Sequence, residues 1–236
     1  MMNSHKTSQK EYYSLNYETY DANITFLDSS RFDKVYKMIT EENTGTILEV
    51  GCLSGSFLLK LKNVDWNCVG IELSDAGTKG AEKGLHILKY DVEEGLPFKS
   101  EIFDIVYAGE LIEHLIDTDA FIKETYRILK KHGKFIITTP NIASLINRIR
   151  LLFGKYPRYL EYKKGGAGHI HLYNLEKMRN QLEENDFIIE KVLGNFMSFP
   201  DPTENKLIRK NILSPLGDLF PTFSENLIIK ASKVNY

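Results

Sequence analysis

The chain has 236 residues, enough for one domain with a substantial core. A formal net charge of −2 with 26% charged and 42% hydrophobic residues is ordinary for a soluble globular protein, and gives no global reason to expect nucleic acid or an anionic membrane as partner. Two cysteines, Cys52 and Cys68, make neither a disulfide framework nor a metal site alone, and no apolar run approaches membrane-spanning length. The polar start Met1 to Lys6 has no apolar signal core behind it, so buried, reduced thiols in a cytoplasmic protein are expected.

Residues 1–42 read as an N-terminal helical segment. Tyr12, Tyr13, Tyr17 and Tyr20 either pack it on the core or line a lid, and Phe32, Val35, Tyr36 and Ile39 recur at helical spacing. From Thr46 the pattern alternates strand and helix. Strands are expected at Thr46 to Val50, Asn67 to Ile71, Leu85 to Tyr90, Phe103 to Ala108 and Lys134 to Thr138. Helices are expected from Ser56 to Lys62, weakly from Ser74 to Lys83, through Glu110 to His114, and from Asp119 to Leu129. A helix from Leu175 to Glu184 starts at the good N-cap Asn174, and Phe187 to Leu193 and Asn226 to Ala231 read as final strands. Such alternation predicts one doubly wound α/β domain over 1–236, mostly parallel, with helices on both faces and cap insertions at about 141–173 and 195–222.

The first strand breaks into Gly51-Cys52-Leu53-Ser54-Gly55, and apolar residues resume at Phe57 with helical spacing. A glycine turn feeding a helix N-terminus suits an anionic group. Ligands in such folds sit beyond the carboxyl ends of the strands, and three of those ends are acidic here: Glu49, Glu72 and Asp91. A carboxylate ending strand two is placed for ribose hydroxyls, and one ending strand three for an exocyclic adenine amine. The dinucleotide fingerprint G-x-G-x-x-G is missing, because Leu53 occupies its middle glycine.

Glu49-Val50-Gly51-Cys52-Leu53-Ser54-Gly55 resembles motif I, E/D-x-G-x-G-x-G, of class I S-adenosylmethionine-dependent methyltransferases, departing from it at Leu53. Phe103 to Ala108 resembles the family's strand-four motif, and Ile128 to Asn141 resembles "L-K-P-G-G-x-L-x-I-x-T-P-N". The resemblance covers about residues 30–195. It implies a Rossmann-like, seven-stranded sheet with the last strand antiparallel, S-adenosyl-L-methionine as cofactor and S-adenosyl-L-homocysteine as product. It also implies cofactor contacts from Glu49, Gly51, Cys52, Gly55, Glu72, Leu73, Asp91, Val92 and Gly109, with Glu72 on the ribose and Asp91-Val92 on the adenine.

For the chemistry, Glu110, Glu113 and His114 follow strand four and would share one helical face, while His169 and His171 lie in a glycine-rich loop. They serve as structural hydrogen-bonding groups, or His114 or His169 is a general base. No metal is assigned. A divalent ion on Glu110, Glu113, His114 and His169 is a third reading, since this E-x-x-E-H pattern with a downstream histidine resembles the metal site of ubiquinone-pathway and small-RNA O-methyltransferases. In the 141–164 cap, Ile142, Leu145, Ile146, Ile149, Leu152 and Phe153 form an apolar stripe. Arg148, Arg150, Lys155, Arg158, Lys163 and Lys164 surround it with positive charge, opposed only by Glu161. That fits either a solvated face or a small-molecule or glycan acceptor, anionic or lipid-linked. A nucleic-acid partner is not expected.

O-methylation of such an acceptor is the leading reading. Two alternatives are an NAD(P)-dependent reductase or epimerase and a catalytically silent cofactor-binding module. The Y-x-x-x-K match at Tyr159 and Lys163 supports the reductase weakly, being common by chance in a chain with 13 tyrosines. The oligomeric state is left open.

Overall fold

The computed structural model describes residues 29–158, 168–197 and 208–234. The N-terminal tyrosines, Tyr159 to Lys164 and the glycines 165 and 166 lie outside that range.

Seven strands form one sheet: β1 (Thr46–Val50), β2 (Asn67–Glu72), β3 (His86–Lys89), β4 (Phe103–Gly109), β5 (Leu129–Pro140), β6 (Phe187–Gly194) and β7 (Asn226–Lys233). Their order is β3-β2-β1-β4-β5-β7-β6. β1 to β5 pair in parallel, and β7 runs antiparallel to both β5 and β6. The helices are α1 (Ser29–Thr40), α2 (Ser56–Lys62), α3 (Gly77–Glu82), α4 (Thr118–Ile128), α5 (Leu145–Leu152), α6 (Leu175–Glu184) and α7 (Ser214–Leu219). The seven strands and the reversed β7 match the expected fold.

Strand side chains alternate between faces, so neighbouring apolar residues enter different cores. Leu48, Val106, Phe135, Ile137 and Ile229 pack with Phe121 and Ile122 of α4 and Met178 and Leu182 of α6. Ile47, Ile105, Tyr107, Ile136 and Ile228 pack on the other face with Phe32, Val35 and Ile39 of α1 and Phe57, Leu58 and Leu61 of α2. Central strands covered on both faces read as unbroken apolar runs, which is why 46–50 and 103–108 were legible as strands.

Two elements differ from expectation. β5 begins at Leu129 rather than Lys134, because residues between Leu129 and Lys134 loop out while Phe103 and Ile105 of β4 keep pairing. His132 takes a left-handed φ of 61° there, and a Cβ on Gly133 would lie 2.8 Å from the Lys130 carbonyl oxygen. His132 and Gly133 thus form an irregularity within the strand. The expected helix from Glu110 to His114 is replaced by one 3₁₀ turn, Ile112–His114. Glu110 has φ 53°, a left-handed conformation that a continuous helix cannot contain.

Register fixes the site. Val50 pairs with Ile71 on one side and Ala108 on the other, so the carboxyl ends of β1, β2 and β4 lie side by side. The chain winds outward from β1 to β3 and returns at β4, making the β1/β4 edge the switch point where such sheets bind ligands. The fully buried Phe135 ring stands 6.3 Å from Phe121 and 5.5 Å from Phe187, joining β5 to α4 and β6. Phe135→Ala should cost about 3–5 kcal/mol in urea unfolding, and a loss below about 1 kcal/mol would place the packing centre elsewhere.

Candidate active site

The chain leaves β1 through a turn with Gly51 at φ 76°, Leu53 at φ 48° and Gly55 at φ 70°. A leucine in that region costs about 1–2 kcal/mol, and the compensation is visible. The Leu53 N–H donates to Glu72 Oε2 at 2.9 Å, and the Ser74 N–H donates to Glu72 Oε1 at 2.7 Å. Hydrogen bonds to a charged acceptor contribute about 1.5–3 kcal/mol each. Glu72, almost fully buried, therefore holds the β1 turn and its own strand end together. A carboxylate has about four acceptor positions, so one on each oxygen is left after these two bonds.

Glu49 and Cys52 are buried beside this turn. A Cβ on Gly51 would sit 3.4 Å from the Leu111 side chain, so the glycine leaves open the space between the turn and the residue following β4. Gly55 precedes α2, and Leu73 follows Glu72 directly. The Tyr90 N–H donates to the Glu72 carbonyl at 3.1 Å, which draws the end of β3 to the same edge. Next in sequence, half-buried Asp91 accepts the Glu93 N–H at 3.0 Å and caps the turn that begins at Val92. Gly109 closes the row from β4. A Cβ there would collide with the Tyr107 hydroxyl and approach Arg31.

The second cluster lies beyond β4. Backbone N–H groups of Ile170 and His171 both donate to the Glu113 carbonyl, at 2.9 and 3.1 Å, and pin the distant histidine loop to the 3₁₀ turn. The His114 and His169 rings stand 4.8 Å apart, nearly edge to face. Glu113, His114 and His169 each bring one ligand-type atom to within 4.8 Å of one another. The Gly168 carbonyl lies 3.3 Å from His114 Nδ1, which makes Nδ1 the donor in that contact. A tight cleft of ≈ 10 Å³ beside the trio is lined by Glu113, Pro140, Ile142, Arg158, His169, His171, Leu172 and Tyr173.

Glu110 stands outside this trio, contrary to the shared helical face expected of it. Its carboxylate accepts from Thr138 Oγ1 at 2.9 Å and from Asn226 Nδ2 at 2.7 Å, and pairs with Arg31 at 3.5 Å. The left-handed Glu110 backbone produces this turn-away. Arg31, Thr139 and Arg158 were missed in the sequence. Arg31 is buried and donates to Thr138, Thr139 donates to Glu113 Oε2 at 3.1 Å, and Arg158 enters the cleft. Thr139 stood within the quoted strand-five motif, while nothing local singled out Arg31.

Comparison with known proteins decides between the nucleotide-binding alternatives. A sequence model described as a methyltransferase domain matches residues 25–192. The chain belongs to the class I S-adenosylmethionine-dependent methyltransferases. Its cofactor is S-adenosylmethionine. Over 158 residues, or 63% of this chain, it is 28% identical to a mitochondrial ubiquinone biosynthesis O-methyltransferase of Bos taurus, covering 42% of that protein. A chloroplastic tocopherol O-methyltransferase of Arabidopsis thaliana is 30% identical over 129 residues, half of this chain and 37% of the relative. The chain thus spans about two-fifths of the length of these curated relatives. A Thermotoga maritima structure, described as an S-adenosylmethionine-dependent methyltransferase and possible histamine N-methyltransferase, shares the fold with a TM-score of 0.69 at 21% identity, covering 95% of this chain and 99% of that one.

Burial pushes the Glu113 carboxyl well above the usual range, and the Glu110 charge adds to the shift. The folded protein therefore holds this proton more tightly than the unfolded chain. The resulting stability is fully present below about pH 4.3, the ordinary glutamate value, and is lost as pH rises toward the elevated folded pKa. Glu113→Gln keeps the acceptor for Thr139 without the charge. In chelator, its thermal midpoint should exceed that of the unsubstituted protein, by a margin that grows from pH 5 to pH 8. A margin independent of pH would show that Glu113 ionisation does not oppose folding.

Proposed function

We propose that this chain transfers the methyl group of S-adenosylmethionine to a hydroxyl of a small-molecule, glycan or lipid-linked acceptor. The observation that carries the reading is the Glu72 carboxylate: buried, tied to the glycine turn, and still able to accept from both ribose hydroxyls. The residues at this edge fit the cofactor. Glu72 would hold the ribose, Asp91 and Val92 the adenine side, and Glu49, Gly51, Cys52 and Gly55 the methionine half, with Leu73 and Gly109 completing the walls. The cofactor, when bound, supplies an electrophilic methyl on a sulfonium with a neutral thioether as leaving group. The chain's part is to fix that methyl in line with the acceptor oxygen and to keep water out.

We place the reacting hydroxyl at the mouth of the cleft beside Glu113, His114 and His169, with the body of the acceptor outside it. His114 Nε2 or the His169 ring can take the hydroxyl proton there. Arg158, which among the described residues forms an ion pair only with Glu225 at 3.6 Å, favours an anionic acceptor. A second reading of the same trio is a divalent ion. One buried carboxylate and two imidazoles within 4.8 Å suit magnesium, manganese or zinc, and ionised Glu113 would then be stabilised by the metal. A cytoplasmic location remains part of the proposal.

The test is methyl transfer from radiolabelled cofactor to a panel of phenolic and sugar hydroxyl acceptors. His169→Ala should cut turnover by roughly 10²-fold or more while cofactor affinity stays near that of the unsubstituted protein. Chelator sensitivity that disappears in Glu113→Ala would favour the metal form of the site. Transfer to amines alone would overturn the O-methyl reading. Separately, Glu72→Ala should weaken calorimetric cofactor binding by about 2–3 kcal/mol, and unchanged affinity would put the ribose site elsewhere.

A further inference from the structure

The apolar stripe expected along 142–153 does not all face inward. Leu151 is 55% exposed, Leu152 80%, Phe153 71% and Tyr156 63%. The buried side chain of α5 is instead Asn147, which accepts the Arg158 N–H at 2.8 Å and closes the segment into a loop that projects these residues. Arg148, Leu151 and Leu152 share one helical face. The Arg148 guanidinium lies 4.7 Å over the Phe223 ring, and Phe223 stands 6.3 Å from Phe220. Apolar surface therefore continues from α5 onto Phe220, 44% exposed, and Leu219, 69% exposed.

Along the α5 segment the charge is of one sign, although Arg158 at its end pairs with Glu225 and Asp218 precedes Leu219. Residues 145–158 carry Arg148, Arg150, Lys155 and Arg158 and no acidic residue. Arg150 Nε donates to the Tyr156 carbonyl at 2.8 Å, which holds the turn that presents the tyrosine. Side chains exposed to this degree, up to 80% at Leu152, protrude rather than line a groove. Anchors of protein interfaces are enriched in Trp, Tyr and Arg, whereas the most exposed side chains here are Leu152, Phe153 and Leu219. Protruding leucine and phenylalanine beside arginine and lysine match a lipid surface, where apolar tips enter the acyl boundary and cations meet phosphate headgroups.

We propose that the end of α5 through Tyr156, with Leu219 and Phe220, docks on the surface of an anionic bilayer. The proposal stands apart from the identity of the methyl acceptor. It has a consequence for access, because Ile142 and Arg158 at the two ends of the same segment line the cleft beside Glu113. Docking would hold that cleft near the bilayer, favouring acceptors carried in the membrane.

Sedimentation of the full chain with phosphatidylcholine vesicles, with and without phosphatidylglycerol, tests this. Binding should require phosphatidylglycerol and fall as salt is raised. The Leu152→Ser/Phe153→Ser double variant should lose about tenfold or more of the affinity for each residue. Its thermal midpoint should stay unchanged, because both side chains are mainly in solvent. Lys155→Glu should weaken binding without affecting the fold. Absence of binding to phosphatidylglycerol vesicles would overturn the proposal, as would equal binding by the double variant. A concentration-dependent dimer that the double variant abolishes would also overturn it, by showing that a second copy covers the face.

Discussion

Two backbone N–H groups meet on the Glu72 carboxylate, one from Leu53 in the turn after β1 and one from Ser74 beyond β2. Much of the site depends on this junction. It offsets the cost of a leucine at φ 48°, fixes the path of Gly51 to Gly55, and aims the remaining acceptor positions of a buried carboxylate at the switch edge. The sheet supplies the frame. Parallel register sets the ends of β1, β2 and β4 abreast, and the Tyr90 N–H on the Glu72 carbonyl brings in the end of β3. The proposed cofactor site is thus built from strand ends, whose positions the core on both faces makes rigid.

The proposed acceptor side is built differently. The 3₁₀ turn at Ile112–His114 and the loop at 168–171 are far apart in sequence, and two N–H bonds to the Glu113 carbonyl join them. Buried Arg31, Thr138 and Asn226 hold the Glu110 carboxylate away, and Glu113 alone of the two acids faces His114 and His169. Glu110 remains close enough to raise the Glu113 pKa, so the outward acid still acts on the inward one through its charge. A trio of this kind is open to a proton or to a metal, and the two occupants respond oppositely to chelation.

The sheet was legible in the sequence because central strands buried on both faces are continuous apolar runs, and because β1, β2 and β4 finish at a glycine or an acid. Glu49, Glu72 and Asp91 could be placed on one edge from that pattern alone. The helix expected at Glu110 failed for a local reason: a left-handed residue has no signature when it is a glutamate held by tertiary partners rather than a glycine. The same limit hid Arg31, whose partners Thr138 and Glu110 become neighbours only when α1 covers the sheet. The α5 stripe was legible as an apolar face beside positive charge, but periodicity marks such a face without saying what covers it.

Amide hydrogen exchange at Leu53 and Ser74 tests the central claim most directly. In the cofactor-free protein both amides should be protected, further protected by S-adenosylmethionine, and exposed in Glu72→Ala while amides of β4 and β5 keep their protection. Rapid exchange of both amides in the unsubstituted protein would contradict the account, because the carboxylate would then not be holding the turn.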